Sequence, residues 1–253
     1  MYKKTILIGL IIAPILIFSQ VLKSKDSLTI IKDKNLKFNY KQLVVPAAFI
    51  TYGIVSLESD YLKTLNYDTK EELAEHIDKR LTIDDFFQYT PAATVYGLNL
   101  IGIQGKNKFK DRSIILATSY LILSTSVLTL KSVTKIERPD GSANNSFPSG
   151  HTANAFAGAE FLYQEYKDVN IWYGISGYAV ATATGFFRMY NQRHWFSDVV
   201  MGAGIGILST KMAYWIHPFI TEKIFKSNSK TTTMITPFYN GRQGGLGLVI
   251  HIN

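Results

Sequence analysis

The chain has 253 residues, of which 47% are hydrophobic and 18% charged, and its 27 Lys and Arg outweigh 19 Asp and Glu for a net charge of +8. That apolar content excludes a disordered chain, and the length fits one domain of ordinary size. Cysteine is absent, so disulfides, thiolate metal sites and a cysteine nucleophile are excluded.

The mean hydropathy is close to zero, between a soluble globular domain and a light membrane protein. The basic surplus suits anionic partners such as phosphate esters or lipid headgroups. The densest basic run, Lys106, Lys108, Lys110 and Arg112, alternates with other residues and reads as a loop, so no nucleic-acid partner is expected.

Residues 1–19 have the layout of an export signal: Lys3 and Lys4, an apolar run from Thr5 to Phe18, then Ser19. The expectation is a signal peptide cut after Ser19 or, uncut, a signal anchor, because the run is shorter than the about 20 residues of a membrane span. The protein is then exported, periplasmic or membrane-associated, with its active site outside the cytoplasm. Residues 20–226 are expected to form the domain and residues 227–253 a tail.

Residues 20–40 are a polar, lysine-rich lead-in, and 42–58 an apolar helix with Pro46 in its first turn. Residues 60–80 predict an amphipathic helix through Leu73, Ile77 and Leu81. Thr82 to Gly102 contains a second apolar stretch, after the acidic pair Asp84-Asp85. Paired carboxylates invite a metal reading, but acids before an apolar run are favoured as helix N-caps, which is the reading preferred here.

Residues 113–130 are 18 in a row without charge, enough to cross a bilayer or to form the central helix of a bundle. Their seven Ser and Thr hydroxyls, from Ser113 to Thr129, make a protein-packed helix at least as favourable as a lipid-facing one. Residues 139–150 carry every turn signal. Helices follow near 151–166, where Glu160 and Glu165 suit an amphipathic helix better than a free span, and near 171–187 and 197–217. In the tail, Met234–Tyr239 and Leu246–Ile252 flank a Gly-rich turn and predict a β-hairpin. The expected class is all-α, a helical bundle with a short C-terminal β-hairpin.

Three clusters carry chemistry: Lys131 with Arg138-Pro139; Pro148-Ser149-Gly150-His151; and Arg188, His194 and Asp198. Phosphoryl transfer asks mainly for positioning and for positive charge around the non-bridging oxygens. Lys131, Arg138 and Arg188 supply three cations, and arginine's planar fork suits paired phosphate oxygens. Gly150 lets backbone amides come close, Ser149 adds a hydroxyl, and the helix expected from residue 151 would offer its N-terminus to an anion. His194 and Asp198, four apart on one helix face, suit a nucleophile and its orienting carboxylate. His151 suits a group that protonates the leaving alkoxide and then deprotonates water.

Lys-x6-Arg-Pro, Pro-Ser-Gly-His and Arg-x5-His-x3-Asp together resemble the three-part signature of the type 2 phosphatidic acid phosphatase family, which includes bacterial acid phosphatases and vanadium haloperoxidases. The match runs from Lys131 to Asp198. The resemblance implies a helical bundle in which these residues converge on one phosphate pocket, with no metal or other cofactor in the phosphatases. It implies Lys131, Arg138, Ser149, Gly150 and Arg188 as phosphate binders, His151 as the acid, His194 as the nucleophile and Asp198 as its partner. The family usually has Ser where this chain has Phe187, which puts the polarity of the pocket and the orientation of Arg188 at issue.

The expected activity is hydrolysis of an extracytoplasmic phosphomonoester or pyrophosphate, a lipid phosphate being favoured over a soluble one, through phosphohistidine. The competing readings are a vanadate-dependent haloperoxidase and a non-catalytic phosphate- or membrane-binding protein. Oligomeric state stays open. His76, His217 and His251 lack partners at useful spacing and read as surface or interface residues, Trp195 as packing, and Arg193 and Lys135 as solvated surface.

Overall fold

The computed structural model describes residues 40–75 and 82–222 in full, and residues 231–239 and 244–252 by their backbone. The expected signal segment and most of the lead-in, His76 and the side chain of His251 lie outside the described residues. A 3₁₀ turn, Tyr40–Leu43, leads into α1 (Val44–Val55), and α2 (Asp60–Ala74) follows across a 96° bend. Ser59 caps α2 by accepting from Leu62 N at 3.5 Å. The stretch 82–102 forms two helices, α3 (Asp84–Phe87) and α4 (Thr90–Leu100), separated at Gln88 and Tyr89. Then come α5 (Phe109–Thr134), α6 (Gly150–Tyr166), α7 (Ile171–Tyr190) and α8 (Phe196–Ile220).

α6 is the central helix, packed by α4, α7 and α8. Small residues (Ala153, Ala155, Ala157, Gly158, Ala159) line several of its faces, and all are buried. The closest approach is to α8: a Cβ on Gly206 would stand 2.3 Å from Ala153 O, and one on Gly202 2.5 Å from Ser149 O. Glycines one turn apart therefore let the two backbones touch. This contact brings the head of α8, with Asp198, against the head of α6, where the second motif lies.

Glu160 and Glu165 do not face solvent. Both are buried, Glu160 against Lys211 at 2.7 Å and Gln164 at 2.6 Å, and Glu165 against Tyr214 at 2.7 Å and Arg112 at 3.6 Å. The amphipathic reading of α6 fails because its two carboxylates find cations and donors on α5 and α8. Buried charges persist only with such partners.

The balance struck for α5 also shifts. Leu121, Leu128 and Val133 are 70%, 66% and 75% exposed, and only 22% of its most apolar window is buried. Its hydroxyls do not oppose lipid, because Thr125 and Ser126 bond back to Leu121 O and Ile122 O at 2.9 and 2.8 Å, and Ser119 pairs with Thr210 at 2.7 Å. Helix hydroxyls satisfied in this way leave no polar group bare to hydrocarbon. Among the described residues α5 and α8 are long and apolar enough to cross a membrane, and the outward apolar face of α5 associates the domain with one.

The expected fold class is corrected in one respect: the hairpin is not part of the fold. Among the described residues from Tyr40 to Ile220 every regular element is helical, so the domain they form is all-α. Thr231–Tyr239 and Gly244–Ile252 run antiparallel as a separate two-stranded ribbon. Such a ribbon is marginal by itself and supplies no layer of a core.

Candidate active site

Lys131 ends the last turn of α5, and Lys135, in a left-handed conformation, closes that helix. The loop that follows is braced from within by Arg138 N to Ala143 O and Ser146 N to Ile136 O, and from the third motif by Asp140 N to Gln192 O. Lys131 Nζ donates to the carbonyls of Asn145 and Ser146, and Arg138 Nε donates to Asn145 Oδ1 at 2.9 Å. Burial, then the neighbouring charges of Arg188 and Arg193, hold the Arg138 guanidinium below its usual pKa. The loop thus sets two of the three cations beside one another.

Ser149 is the N-cap of α6 and is fully buried. Its hydroxyl accepts from Thr152 N and pairs with Thr152 Oγ1 at 2.9 Å, while its own N–H donates to Asp198 O at 3.0 Å. The hydroxyl serves the cap in this structure. Gly150 takes the first helical position, whose N–H has no acceptor within the helix. His151 follows, half-buried.

His194 is not on a helix with Asp198, as its spacing predicts. It precedes Trp195, the N-cap of α8, and Asp198 is the third helical residue, closing a capping box by accepting from Trp195 N at 2.9 Å. Both are buried, and His194 Nδ1 stands 3.5 Å from Asp198 Oδ2. Ser146 Oγ donates to the same carboxylate oxygen at 2.5 Å and stands 3.5 Å from His194 Nδ1. Burial pushes the His194 pKa down to about 4 against the opposing pull of Asp198. The imidazole is therefore neutral at ordinary pH, with its Nδ1 side held and Nε2 on the opposite edge of the ring.

Arg188, near the end of α7, is buried against Asp84 of α3, Nη1 to Oδ2 at 2.6 Å, and Asn191 Nδ2 donates to the other oxygen at 3.2 Å. The Arg188 Nε is buried with no hydrogen-bond partner among the described residues. Asp85 Oδ1 stands 3.0 Å from His151 Nε2 and 3.8 Å from Arg188 Nη1. Neither acid caps α3, whose N-cap is Ile83. Burial, with the charge of Arg188, lowers the His151 pKa, and Asp85 and Asp84 oppose that shift. Phe187 is half-buried and packs on Phe186 and Tyr190.

Asp84, Asp85 and Ser146 are the site residues that the sequence reading missed. Asp84 meets a residue 104 positions away, and nothing in its local pattern separates such a pair from two capping acids. Two further readings change: His217 pairs with Asp111 at 3.3 Å and Arg193 with Asp140 at 3.1 Å. Trp195 packs as expected, edge to face on Tyr67 at 5.0 Å, and donates Nε1 to Glu137 O at 2.8 Å. Among the described residues no group of three or more His, Asp or Glu is placed to hold a metal ion.

Residues 106–222 match the model of the PAP2 superfamily. The Lipid A 1-phosphatase of Porphyromonas gingivalis is 38% identical over 151 residues, which are 59% of this chain and 34% of that protein. The chain thus spans about a third of the length of this curated relative. Two solved structures are similar. Aquifex aeolicus LpxE is 24% identical, with 60% of this chain and 95% of that one covered at a TM-score of 0.45. A transmembrane PAP2 type phosphatidylglycerolphosphate phosphatase from Bacillus subtilis is 19% identical, with 74% and 100% covered at a TM-score of 0.47.

Proposed function

We propose, from the match of residues 106–222 to the PAP2 superfamily, that the chain is a phosphatase of that superfamily which hydrolyses a lipid phosphate at the extracytoplasmic membrane surface by way of phosphohistidine. The observation that carries this reading is the buried His194, whose Nδ1 stands 3.5 Å from an Asp198 carboxylate that Ser146 also holds, with the charges of Lys131 and Arg188 acting on it. The relative's name, a lipid A phosphatase, supports a phosphorylated lipid as the substrate class. The apolar outer face of α5 supports a substrate reached from a bilayer. The basic, then apolar, N-terminus supports an outward-facing site.

In this mechanism the phosphoryl oxygens sit among Lys131, Arg138, Arg188 and the Gly150 amide. These groups offset the charge that a metal ion neutralises in other phosphatases. His194 Nε2 attacks phosphorus as the bond to the leaving oxygen breaks, and His151 gives that oxygen its proton. Water then attacks the phosphohistidine, His151 takes the proton, and inorganic phosphate leaves His194 free. The 3.5 Å separation of His194 and Asp198 is long for a hydrogen bond, as is common before substrate tightens a catalytic pair.

The test is phosphate release by the purified chain in EDTA, on a lipid phosphate, a polyprenyl pyrophosphate and a soluble aryl phosphate. Turnover that vanadate and His194→Ala abolish is the expected result, with the lipid phosphates preferred. A folded protein that turns over none of them contradicts the reading.

A further inference from the structure

The basic run Lys106, Lys108 and Lys110 has no part in the proposed catalysis and lies at the far end of the bundle. α5 has 26 residues, about 39 Å at the helical rise, and Lys131 stands in its last turn. The hydrocarbon of a bilayer is about 30 Å thick, so an α5 that crosses it sets Lys131 and the basic run in opposite headgroup layers. The other long helices meet at the same end. Tyr96 of α4 packs on Phe109 at 5.9 Å, and His217 of α8 pairs with Asp111 at 3.3 Å. Tyr166, which closes α6, stands 2.9 Å from Ile103 O and packs on Tyr173 of α7 at 5.3 Å.

A buried carboxylate fixes the loop. Glu165 accepts from Asn107 N at 3.0 Å and from Asn107 Nδ2 at 2.6 Å, and its own carbonyl accepts from Lys106 N at 2.9 Å. Arg112 donates to Asn107 O. A Cβ on Gly105 would stand 2.9 Å from Glu165 Oε2, so glycine lets the loop pass against that carboxylate. Asn107 is thus turned inward, while Lys106 and Lys108 on either side of it are exposed. Lys108 is the N-cap of α5 and Lys110 lies in its first turn, where a cation opposes the helix dipole, so neither is placed to stabilise the helix itself. Leu100, Ile101, Phe109 and, from α7, Trp172 are exposed at the same end. Among the described residues the exposed acids there are Asp168 and Glu222, fewer than the lysines. Phe109 also opens the helix whose outer face carries Leu121 and Leu128.

We propose that this loop binds the phosphodiester headgroup of an anionic phospholipid in the leaflet opposite the catalytic site. Lys106 and Lys108 meet the phosphate oxygens through charge-assisted hydrogen bonds, and Leu100, Ile101 and Phe109 enter the upper acyl layer. A nucleic acid would leave those apolar side chains in water, whereas one lipid covers them and pairs the lysines together. The Glu165 clamp holds the two lysines outward before any lipid arrives, so little ordering is needed on binding. The inference rests on α5 crossing a bilayer and not on the phosphatase reading.

The test uses the full chain in mixed micelles of phosphatidylserine and phosphatidylcholine, with the retained lipids counted by native mass spectrometry. Phosphatidylserine holds its phosphate in a diester, which hydrolysis of phosphomonoesters leaves intact, so binding and turnover are read apart. The expected result is a preference for phosphatidylserine of about tenfold or more, since each lysine beside an anionic lipid strengthens attraction about fivefold. Lys106→Gln with Lys108→Gln brings the ratio near one, and Lys106→Arg with Lys108→Arg restores it. Turnover of a soluble aryl phosphate stays at the wild-type level in both. Asn107→Ala removes no charge but loosens the loop from Glu165, and it lowers the ratio as well. Equal retention of the two lipids by the wild type overturns the site and leaves the lysines to a protein partner. So does a ratio that survives the glutamine variant and falls instead with Lys63→Gln and Lys70→Gln on α2, which places the lipid at the catalytic end. A ratio that Asn107→Ala leaves unchanged reduces the lysines to diffuse charge and contradicts a built site.

Discussion

The Oδ1 atom of Asp85 stands 3.0 Å from His151 Nε2 and 3.8 Å from Arg188 Nη1, so one half-exposed carboxylate touches both the proposed acid and a proposed phosphate cation. Burial and Arg188 lower the His151 pKa, and Asp85 raises it. Asp85→Asn removes the raising contribution, so His151 loses its proton at a lower pH than before. Because the proposed step needs that proton, the alkaline limb of kcat/KM moves to lower pH. A limb that stays in place removes Asp85 from this role.

Asp84 and Arg188 form the buried counterpart, at 2.6 Å. Deleting one partner of a buried pair leaves the other charge bare, at a cost of about 3–5 kcal/mol. Asp84→Ala should lower the melting midpoint in detergent far more than Asp84→Asn, which still offers Arg188 an acceptor. A midpoint unchanged in the alanine variant contradicts the buried pairing.

His194, held down to about 4 by burial, predicts an acid limb of kcat/KM near that value rather than near the about 6.5 of a free histidine. The stability argument has the same sign. Between those two values the unfolded chain binds a proton that the folded His194 refuses, so stability falls as pH drops through the window. His194→Gln should flatten that fall in denaturation measured at pH 7 and 4.5. An equally steep fall in the variant shows that His194 is not the group responsible.

Gly206→Ala places a methyl 2.3 Å from Ala153 O and 2.8 Å from Ala157 N. Backbone cannot yield as a flexible side chain does, so α8 must retreat from α6, at about 1–3 kcal/mol or more. Activity should fall together with stability, because the same contact sets Asp198 against the second motif.

The helices were legible wherever periodicity or uninterrupted apolar sequence marks them: α6, α7 and α8 begin within a residue of expectation. The motif residues stood out because the proposed phosphoryl chemistry restricts residue types as well as spacing. What escaped was long-range pairing. Glu160 and Glu165 read as solvated because Lys211 and Arg112 are remote in sequence, and Asp84 read as a cap because Arg188 is remote too. The hydroxyls of α5 argued against lipid on composition alone, whereas helical geometry lets Thr125 and Ser126 satisfy themselves.

The central claim is that His194 carries the phosphoryl group. The direct measurement is turnover of a substrate radiolabelled in its reacting phosphate, quenched in alkaline detergent, with the bound label mapped to a peptide. The account predicts an acid-labile, base-stable label on His194 that His194→Ala abolishes together with turnover. Release of phosphate at an undiminished rate by His194→Ala, with no label on the protein, contradicts it.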